Sequence, residues 1–426
     1  MKTAVVGLGY VGLPLTIRLS QLNIEVLAID TNLKKIKKLQ KGILPFAQTE
    51  PSLEDFFKKE FKKGTLVFTT TFEKLSEIEL IIVCVDTPII GKVPNYKSLK
   101  NALKSIASYL KNGSIVVIES TVAPNTSKNL VIPILEKETK MKINKDFFVA
   151  TVPERIRPNF IFEQLTTLSR VIGISDKKIE NRLRQIYSRV TFGDIDFTNL
   201  TTAETVKTVE NSFRDVNIAF ANEIAIACEE IGVDVWKIRE LVNKSPFHNM
   251  HMPGAGVGGH CIPKDPWLLA SSVKDNRLNL IETSRKINDG MPAHIFALAQ
   301  EALNEKKIKT SGANFAILGY SYVGNSDDTR NSPTEMLISI LKSKKIKHKV
   351  HDPYVKKFSN QSIENMAKGA HILIIMVNHD IYRKINYKNM AGIMKTKIII
   401  DGRNVVPIEE VNKLGFNYKG IGNKIT

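Results

Sequence analysis

Short apolar runs, each ending at a polar cluster, alternate along the chain with stretches whose apolar residues recur at helical spacing. The first run, Thr3-Ala-Val-Val-Gly7, predicts a buried strand. A helix to about Leu22 follows, then a second strand from Glu25 to Asp30 that ends in an acid. Three further runs are Leu80 to Val85, ending at Asp86-Thr-Pro88; Ser114 to Glu119, ending at Ser120-Thr-Val-Ala-Pro124; and Phe147 to Thr151, ending at Pro153-Glu-Arg155. Continuous apolar strands capped by polar residues suit a parallel sheet covered on both faces, with ligands at its carboxyl ends. A second series opens at Asn314–Gly319 and continues through Lys347–His351, His371–Val377 and Lys397–Asp401. Between the two, from Thr202 to about Ile231, apolar residues fall at helical spacing: Val206, Val209, Phe213, Val216, Phe220, Ile224, Ala227 and Ile231. Such a helix would run about 45 Å at 1.5 Å per residue, enough to link two domains and offer a face to a second copy.

The first βαβ segment carries a sharper signal. Gly7-Leu-Gly-Tyr-Val-Gly12 sits between strand and helix, and Asp30 ends the next strand about 20 residues on. Gly7 makes the tight turn, Gly9 admits a pyrophosphate and Gly12 lets helix and strand pack closely. Asp30 can accept from ribose hydroxyls and would repel a 2′-phosphate, which favours NAD over NADP; Lys34 and Lys35 soften that discrimination. The second series has no such fingerprint between Gly319 and Gly324, so it suits a different nucleotide. Arg330 and Arg403 are its candidate phosphate partners, or else surface ion-pair members. The fold class is therefore α/β: two Rossmann-like parallel-sheet domains joined by a helical middle domain with a long central helix. The expected boundaries are 1–200, 201–305 and 306–426.

Composition narrows the function. The 426 residues suffice for two or three domains, and 43% hydrophobic content is that of a soluble globular protein. No apolar run reaches the roughly 18 residues that span a bilayer, and the N-terminus lacks a signal peptide's layout, so a cytoplasmic protein with no membrane partner is expected. Cys84, Cys228 and Cys261 are too widely spaced for a disulfide framework or a zinc site, and no metal is expected. The net charge of +18 comes from lysines in short scattered clusters. Without a basic tail or interleaved aromatics, this reads as a solvated surface suited to an anionic small substrate rather than to nucleic acid.

Gly254-Ala-Gly-Val-Gly-Gly-His-Cys-Ile-Pro-Lys-Asp-Pro266 is the other chemical stretch. Pro263 and Pro266 suggest the first turn of a helix, and a cysteine there would have a depressed pKa. Asp265 would lie one turn from it. Cys261 is thus a candidate nucleophile, or else a small buried thiol beside a structural loop. Lys207, Asn211 and Arg214, at i, i+4 and i+7, form a stripe that is either solvated or able to serve a buried oxyanion. Thr87, Thr121 and Glu154 would face one crevice at the strand ends. Turn formation, and a solvated Glu154–Arg155 ion pair, are the alternatives.

Taken together, Gly7-Leu-Gly-Tyr-Val-Gly-Leu-Pro14, Glu119-Ser-Thr-Val-Ala-Pro124, Pro153-Glu-Arg155, Glu210-Asn-Ser-Phe-Arg-Asp-Val-Asn217, Gly258-Gly-His-Cys261 with Asp265-Pro266, and Asp328-Thr-Arg-Asn-Ser-Pro333 make the chain resemble the UDP-glucose/GDP-mannose dehydrogenase family over essentially its whole length. The resemblance implies an NAD domain, a helical middle that forms a homodimer, and a C-terminal domain holding uridine diphosphate. It also implies oxidation of a sugar C6 alcohol to a carboxylate with two NAD. In it Cys261 is the nucleophile, Lys207 and Asn211 tend the C6 oxygen, and Asp265 and Glu154 handle protons and water. Gly7, Gly9, Tyr10, Val11, Gly12, Asp30, Lys35, Thr87, Thr121, Lys264 and Arg330 are implied in cofactor binding. Arg155, Ile156, Lys207, Asn211, Arg214, Gly258 and Arg403 are implied in substrate binding.

Pro153-Glu-Arg155 and Gly-Gly-His-Cys resemble the UDP-N-acetylhexosamine branch, so UDP-N-acetylmannosamine is the expected substrate, with UDP-N-acetylglucosamine next and UDP-glucose as the further alternative. The chain departs from the branch at Phe247, where an arginine is common, at Val323, where a lysine is common, and at Asn125 and Asn159, where glycines are frequent. Two other functions compete. A two-electron hydroxyacid dehydrogenase leaves Cys261 and the last domain idle, and a non-enzymatic nucleotide- or RNA-binding protein would form no NADH.

Overall fold

A computed structural model describes residues 1–45, 51–156 and 160–423, so the departure at Asn159 lies outside the described residues. The chain divides into two compact units: Met1–Asn211 with Lys264–Arg277, and Ser212–Pro263 with Leu278–Thr426.

The first unit is built on β1 (Thr3–Val6), β2 (Val26–Ile29), β3 (Leu66–Thr69), β4 (Leu80–Val83), a small hairpin of β5 (Ile89–Ile90) and β6 (Val93–Pro94), β7 (Ile115–Ile118), β8 (Phe148–Thr151), β9 (Arg170–Ile174) and β10 (Ile195–Asn199). Eight of these form one sheet in the order β10-β9-β8-β7-β4-β1-β2-β3. β1 pairs with both β2 and β4 in parallel, so the strand order reverses there and opens a crevice at the carboxyl ends. The central strands β1, β2, β4 and β7 are buried throughout, as their unbroken apolar runs predict. The strands are shorter than those runs: β2 stops at Ile29 and β7 at Ile118, which leaves Asp30 and Glu119 just past the sheet edge. One pairing was not expected from the pattern, because β9 runs antiparallel to β8.

The second unit carries β11 (Asn314–Leu318), β12 (Lys347–His351), β13 (Ile372–Ile375), β14 (Ile398–Asp401) and β15 (Asn417–Gly420), all parallel, in the order β12-β11-β13-β14-β15. Its core joins Phe315, Ile317, Ile374 and Ile400 to Met291, Ile295 and Ala299 of the helix Asn279–Glu305. The turn after β11 repeats the turn after β1: Gly319 has φ +95° where Gly7 has +96°. The likeness then ends. Ser321, wholly buried, stands two residues after the first glycine, where the first unit has Gly9. Its hydroxyl donates to the Val323 carbonyl and lies 3.3 Å from His379 Nε2. Asp352, which follows β12 as Asp30 follows β2, accepts from Tyr320 N, Ser321 N and His379. Burial would raise its carboxyl, but these donors hold it down at about 2.

The helix Leu200–Ile231 runs 32 residues and contains no glycine or proline to interrupt it. Its apolar stripe is only partly buried, with Ile224 packed on the second unit's core. Val209, Phe213, Phe220 and Ile231 are exposed, whereas Ala203, Ala219, Ala221, Ala225 and Cys228 are buried. Small residues face inward because they let backbones approach closely. Among the described residues no helix is long and apolar enough to cross a membrane.

Candidate active site

In the first unit the glycine loop has the geometry its spacing predicts. A Cβ on Gly7 would lie 2.5 Å from the Cys84 carbonyl oxygen, and one on Gly12 would lie 1.9 Å from the Gly7 carbonyl oxygen. Gly9 has nothing within 4 Å of such an atom, so its backbone is open to a ligand. Tyr10 is exposed and Val11 half-buried. Asp30 accepts from Leu8 N at 3.0 Å and Asn32 N at 2.9 Å, and its carboxylate pairs with Lys35 Nζ at 2.6 Å. These residues fit a dinucleotide: an open pyrophosphate turn, and an oriented carboxylate where a ribose would lie. Gly12→Ala is expected to destabilise this unit by about 3 kcal/mol, since backbone cannot yield as a side chain would. Urea denaturation followed by circular dichroism measures it, and an unchanged midpoint would contradict the packing described.

Thr87 is buried and donates to the Thr121 carbonyl at 2.6 Å, while Lys264 Nζ donates to the Thr87 carbonyl at 3.2 Å. Lys264 also pairs with Asp265 at 3.1 Å. Asp265 is fully buried, and its other oxygen accepts from the Asn211 amide. Lys207, one turn before Asn211, is buried too, so this end of the polar stripe is not solvated. Among the described residues the alternative Glu154–Arg155 ion pair does not form. Arg155 binds Glu210 at 2.5 Å and the Ser169 hydroxyl at 3.0 Å, while the buried Glu154 accepts from Ile156 N. Burial raises the Glu154 carboxyl above its usual range, with the charges of Lys207 and Arg170 opposing.

In the second unit the glycine-rich segment is held from several sides. Gly254 N donates to Asn222 Oδ1, Asn222 donates to Asn288, and Asn288 donates to Asp215, which pairs with the buried Arg285. Arg403 donates to the Met376 and Gly256 carbonyls, and its Nη1 would lie 2.4 Å from a Cβ on Gly254. Gly258 packs so closely on Tyr322 and Asn331 that a Cβ would meet them at 2.5 and 2.7 Å. Gly259 N donates to the Arg330 carbonyl and its own carbonyl accepts from the Asn331 amide, both at 2.8 Å.

Cys261 is exposed, which removes the buried-thiol alternative. It does not sit at a helix N-terminus: residues 261–264 form a bend and turn, and the short helix is Asp265–Ala270. The one-turn relation to Asp265 expected from spacing is therefore absent. Arg330, which forks onto Asp328, is one charge that interacts with Cys261. That hydrogen bond is the main reason the Arg330 guanidinium is held above its ordinary value, with the charges of Asp328, Tyr322 and Cys261 adding to it. Arg214 is half-buried, and its charge reaches His251. Phe247 is 90% exposed.

The whole chain is covered by known relatives. Residues 1–191 match the NAD binding domain, 201–290 the central domain and 316–408 the UDP binding domain of the UDP-glucose/GDP-mannose dehydrogenase family. The chain belongs to that family. Within the UDP-glucose/GDP-mannose dehydrogenases it is 39% identical to the UDP-N-acetyl-D-mannosamine dehydrogenase of Pyrococcus horikoshii over 99% of both chains. The solved UDP-D-ManNAc dehydrogenase from that organism superposes with a TM-score of 0.95 over 100% of both chains. An NDP-N-acetyl-D-galactosaminuronic acid dehydrogenase of Ralstonia nicotianae is 31% identical over 94% of this chain and 95% of its own. The protein is thus an NAD-dependent oxidoreductase, with its NAD binding domain in residues 1–191. Sequence reasoning missed Asn222 and Asn288, which anchor Gly254; each sits among core residues such as Ala221, Ala225 and Met291, and that was the available signal.

Proposed function

We propose that the protein oxidises the C6 alcohol of UDP-N-acetyl-D-mannosamine to the carboxylate, giving UDP-N-acetyl-D-mannosaminuronate. The observation that carries this reading is the likeness to the Pyrococcus horikoshii UDP-N-acetyl-D-mannosamine dehydrogenase along the whole chain. Residues 1–200 hold the cofactor, 201–305 carry the dimer face and the cysteine loop, and 306–426 hold the uridine diphosphate. NAD, when bound, supplies the hydride acceptor for both oxidations. Gly7 to Gly12, Asp30, Lys35, Thr87, Thr121, Lys264 and Arg330 position it. Arg155, Ile156, Arg214, Gly258 and Arg403 bind the substrate.

Lys207 and Asn211 stabilise negative charge on the C6 oxygen during the first oxidation. The Cys261 thiolate then adds to the aldehyde carbon, forming a C–S bond and a thiohemiacetal that can release a second hydride. The resulting thioester is cleaved by water: a C–O bond forms, the C–S bond breaks, and the thiolate leaves. Glu154 accepts the water proton, and Asp265 fixes Asn211 in place.

Purified protein given NAD with UDP-glucose, UDP-N-acetylglucosamine or UDP-N-acetylmannosamine tests the reading by absorbance. About two NADH per sugar with the last compound is expected, and about one would indicate a two-electron enzyme. With Asp30 in place, kcat/KM for NAD should exceed that for NADP about a hundredfold, the cost of a phosphate against a carboxylate. Equal efficiencies would remove the role given to Asp30.

The exposed stripe Val209, Phe213 and Phe220 is the face of a homodimer, since apolar side chains of that size gain by leaving water. The double variant Phe213→Asp/Phe220→Asp is expected to sediment as a monomer, and an unchanged sedimentation coefficient would argue against this face. A reducing cytoplasm suits the three cysteines, which form no disulfide.

A further inference from the structure

We propose that Glu119 is a positioning residue: a second buried carboxyl that competes with Glu154 for the Arg170 guanidinium, and so governs how readily Glu154 takes up and releases a proton. The inference rests on the reading of Glu154 as the proton acceptor.

The sheet places the three groups together. Glu119 directly follows β7, Glu154 lies three residues past the end of the neighbouring β8, and Arg170 opens β9. β8 and β9 are antiparallel, with Ala150 opposite Ile174 and Thr151 opposite Gly173. Continuing that register brings Arg170 across from Glu154. Arg170 is buried, and only its Nη2 donates, to the Leu165 carbonyl at 3.3 Å; Nε and Nη1 have no hydrogen-bond partner among the described residues. A buried cation left in that state is compensated by the field of nearby carboxylates rather than by one close pair.

Glu119 is equally enclosed. Its Oε1 accepts from Tyr187 Oη at 2.6 Å, and Cys84 Sγ lies 4.0 Å from its Oε2. The ionisable groups that act on it are Cys84 from the end of β4, Tyr187 from the helix Glu180–Val190, Arg170 and Glu154. Lys207 acts on Glu154 from the long helix. Burial pushes the Glu119 carboxyl up to about 7, Glu154 adds to the rise, and Arg170 and Tyr187 oppose it. Burial also raises Cys84 and Tyr187, which keeps both neutral in this range. Glu119 therefore changes charge near neutrality. Ionised, it draws on Arg170 and disfavours a second negative charge on Glu154. Protonated, it leaves Arg170 to the Glu154 carboxylate, and the coupling is reciprocal.

Glu119→Gln keeps an acceptor for Tyr187 but cannot ionise. The Glu154 titration is read by infrared spectroscopy of the carboxyl region, as the difference between each protein and its Glu154→Gln counterpart, and so needs no substrate. In Glu119→Gln the Glu154 midpoint should fall by about half a unit or more, and the acidic limb of kcat should move with it. Glu119→Asp should retain the parent midpoint. Tyr187→Phe, which makes Glu119 easier to protonate, should shift the midpoint in the same direction as Glu119→Gln, and stands in if that variant does not fold. An unmoved Glu154 midpoint in the variant tested overturns the proposal. A shifted midpoint in a protein that makes no NADH from UDP-N-acetylmannosamine would leave the coupling standing and remove the substrate reading instead.

Discussion

Replacing Cys261 with serine is expected to lower net turnover of UDP-N-acetylmannosamine about a thousandfold or more, the scale of losing a covalent nucleophile, while NAD binding changes less than about twofold. The alcohol oxygen of serine is a far weaker nucleophile near neutral pH, so the aldehyde would not be captured efficiently for its second oxidation. Cys261 is not among the residues assigned to the cofactor, so affinity for NAD should survive. Steady-state rates and fluorescence titration with NADH measure the two effects. Parent-level carboxylate formation by Cys261→Ser would defeat the assignment of the sulfur as nucleophile.

Lys207→Met is expected to lower kcat about a hundredfold or more and to change its pH profile. The first effect follows from losing the charge assigned to the C6 oxygen. The second follows from Glu154, whose carboxyl is raised by burial and restrained by the Lys207 charge. Without that restraint the carboxyl rises further. If the deprotonated form is the active one, activity present above its pKa is then lost earlier as pH falls, so the acidic limb moves to higher pH. This is opposite in sign to the shift expected for Glu119→Gln. A profile that keeps its limb while kcat falls would separate Lys207 from Glu154.

The dinucleotide turn was legible because its geometry allows few residues. A Cβ at Gly7 or Gly12 meets backbone, and the acid at Asp30 marks the end of the second strand. The two parallel sheets were legible from apolar runs that only double-sided burial explains. The direction of β9 was not, since Arg170-Val-Ile-Gly-Ile174 would read the same in either orientation. Arg170 and Glu119 were hidden for that reason: their meeting depends on pairing register rather than on spacing along the chain. The long helix was legible in extent, but not in which of its positions are buried. Val209, Phe213 and Phe220 stay exposed and Ile224 packs on the core, while alanines take the most buried positions. The helical relation inferred between Cys261 and Asp265 failed because the four intervening peptides form a turn before the helix begins.

In the second unit Ser321 stands where the first has Gly9 and is tied to Val323 and His379, while Asp352 accepts from the chain's own donors. On the proposed four-electron reaction, with the coenzyme held at the first unit's glycine turn, one site serves both oxidations. Under that reading reduced coenzyme would depart and be replaced midway through each catalytic cycle, with the half-finished sugar retained meanwhile. The proposed tether through Cys261 would serve that retention as well as the chemistry, so coenzyme exchange joins the bond-making steps as a candidate for what limits the rate.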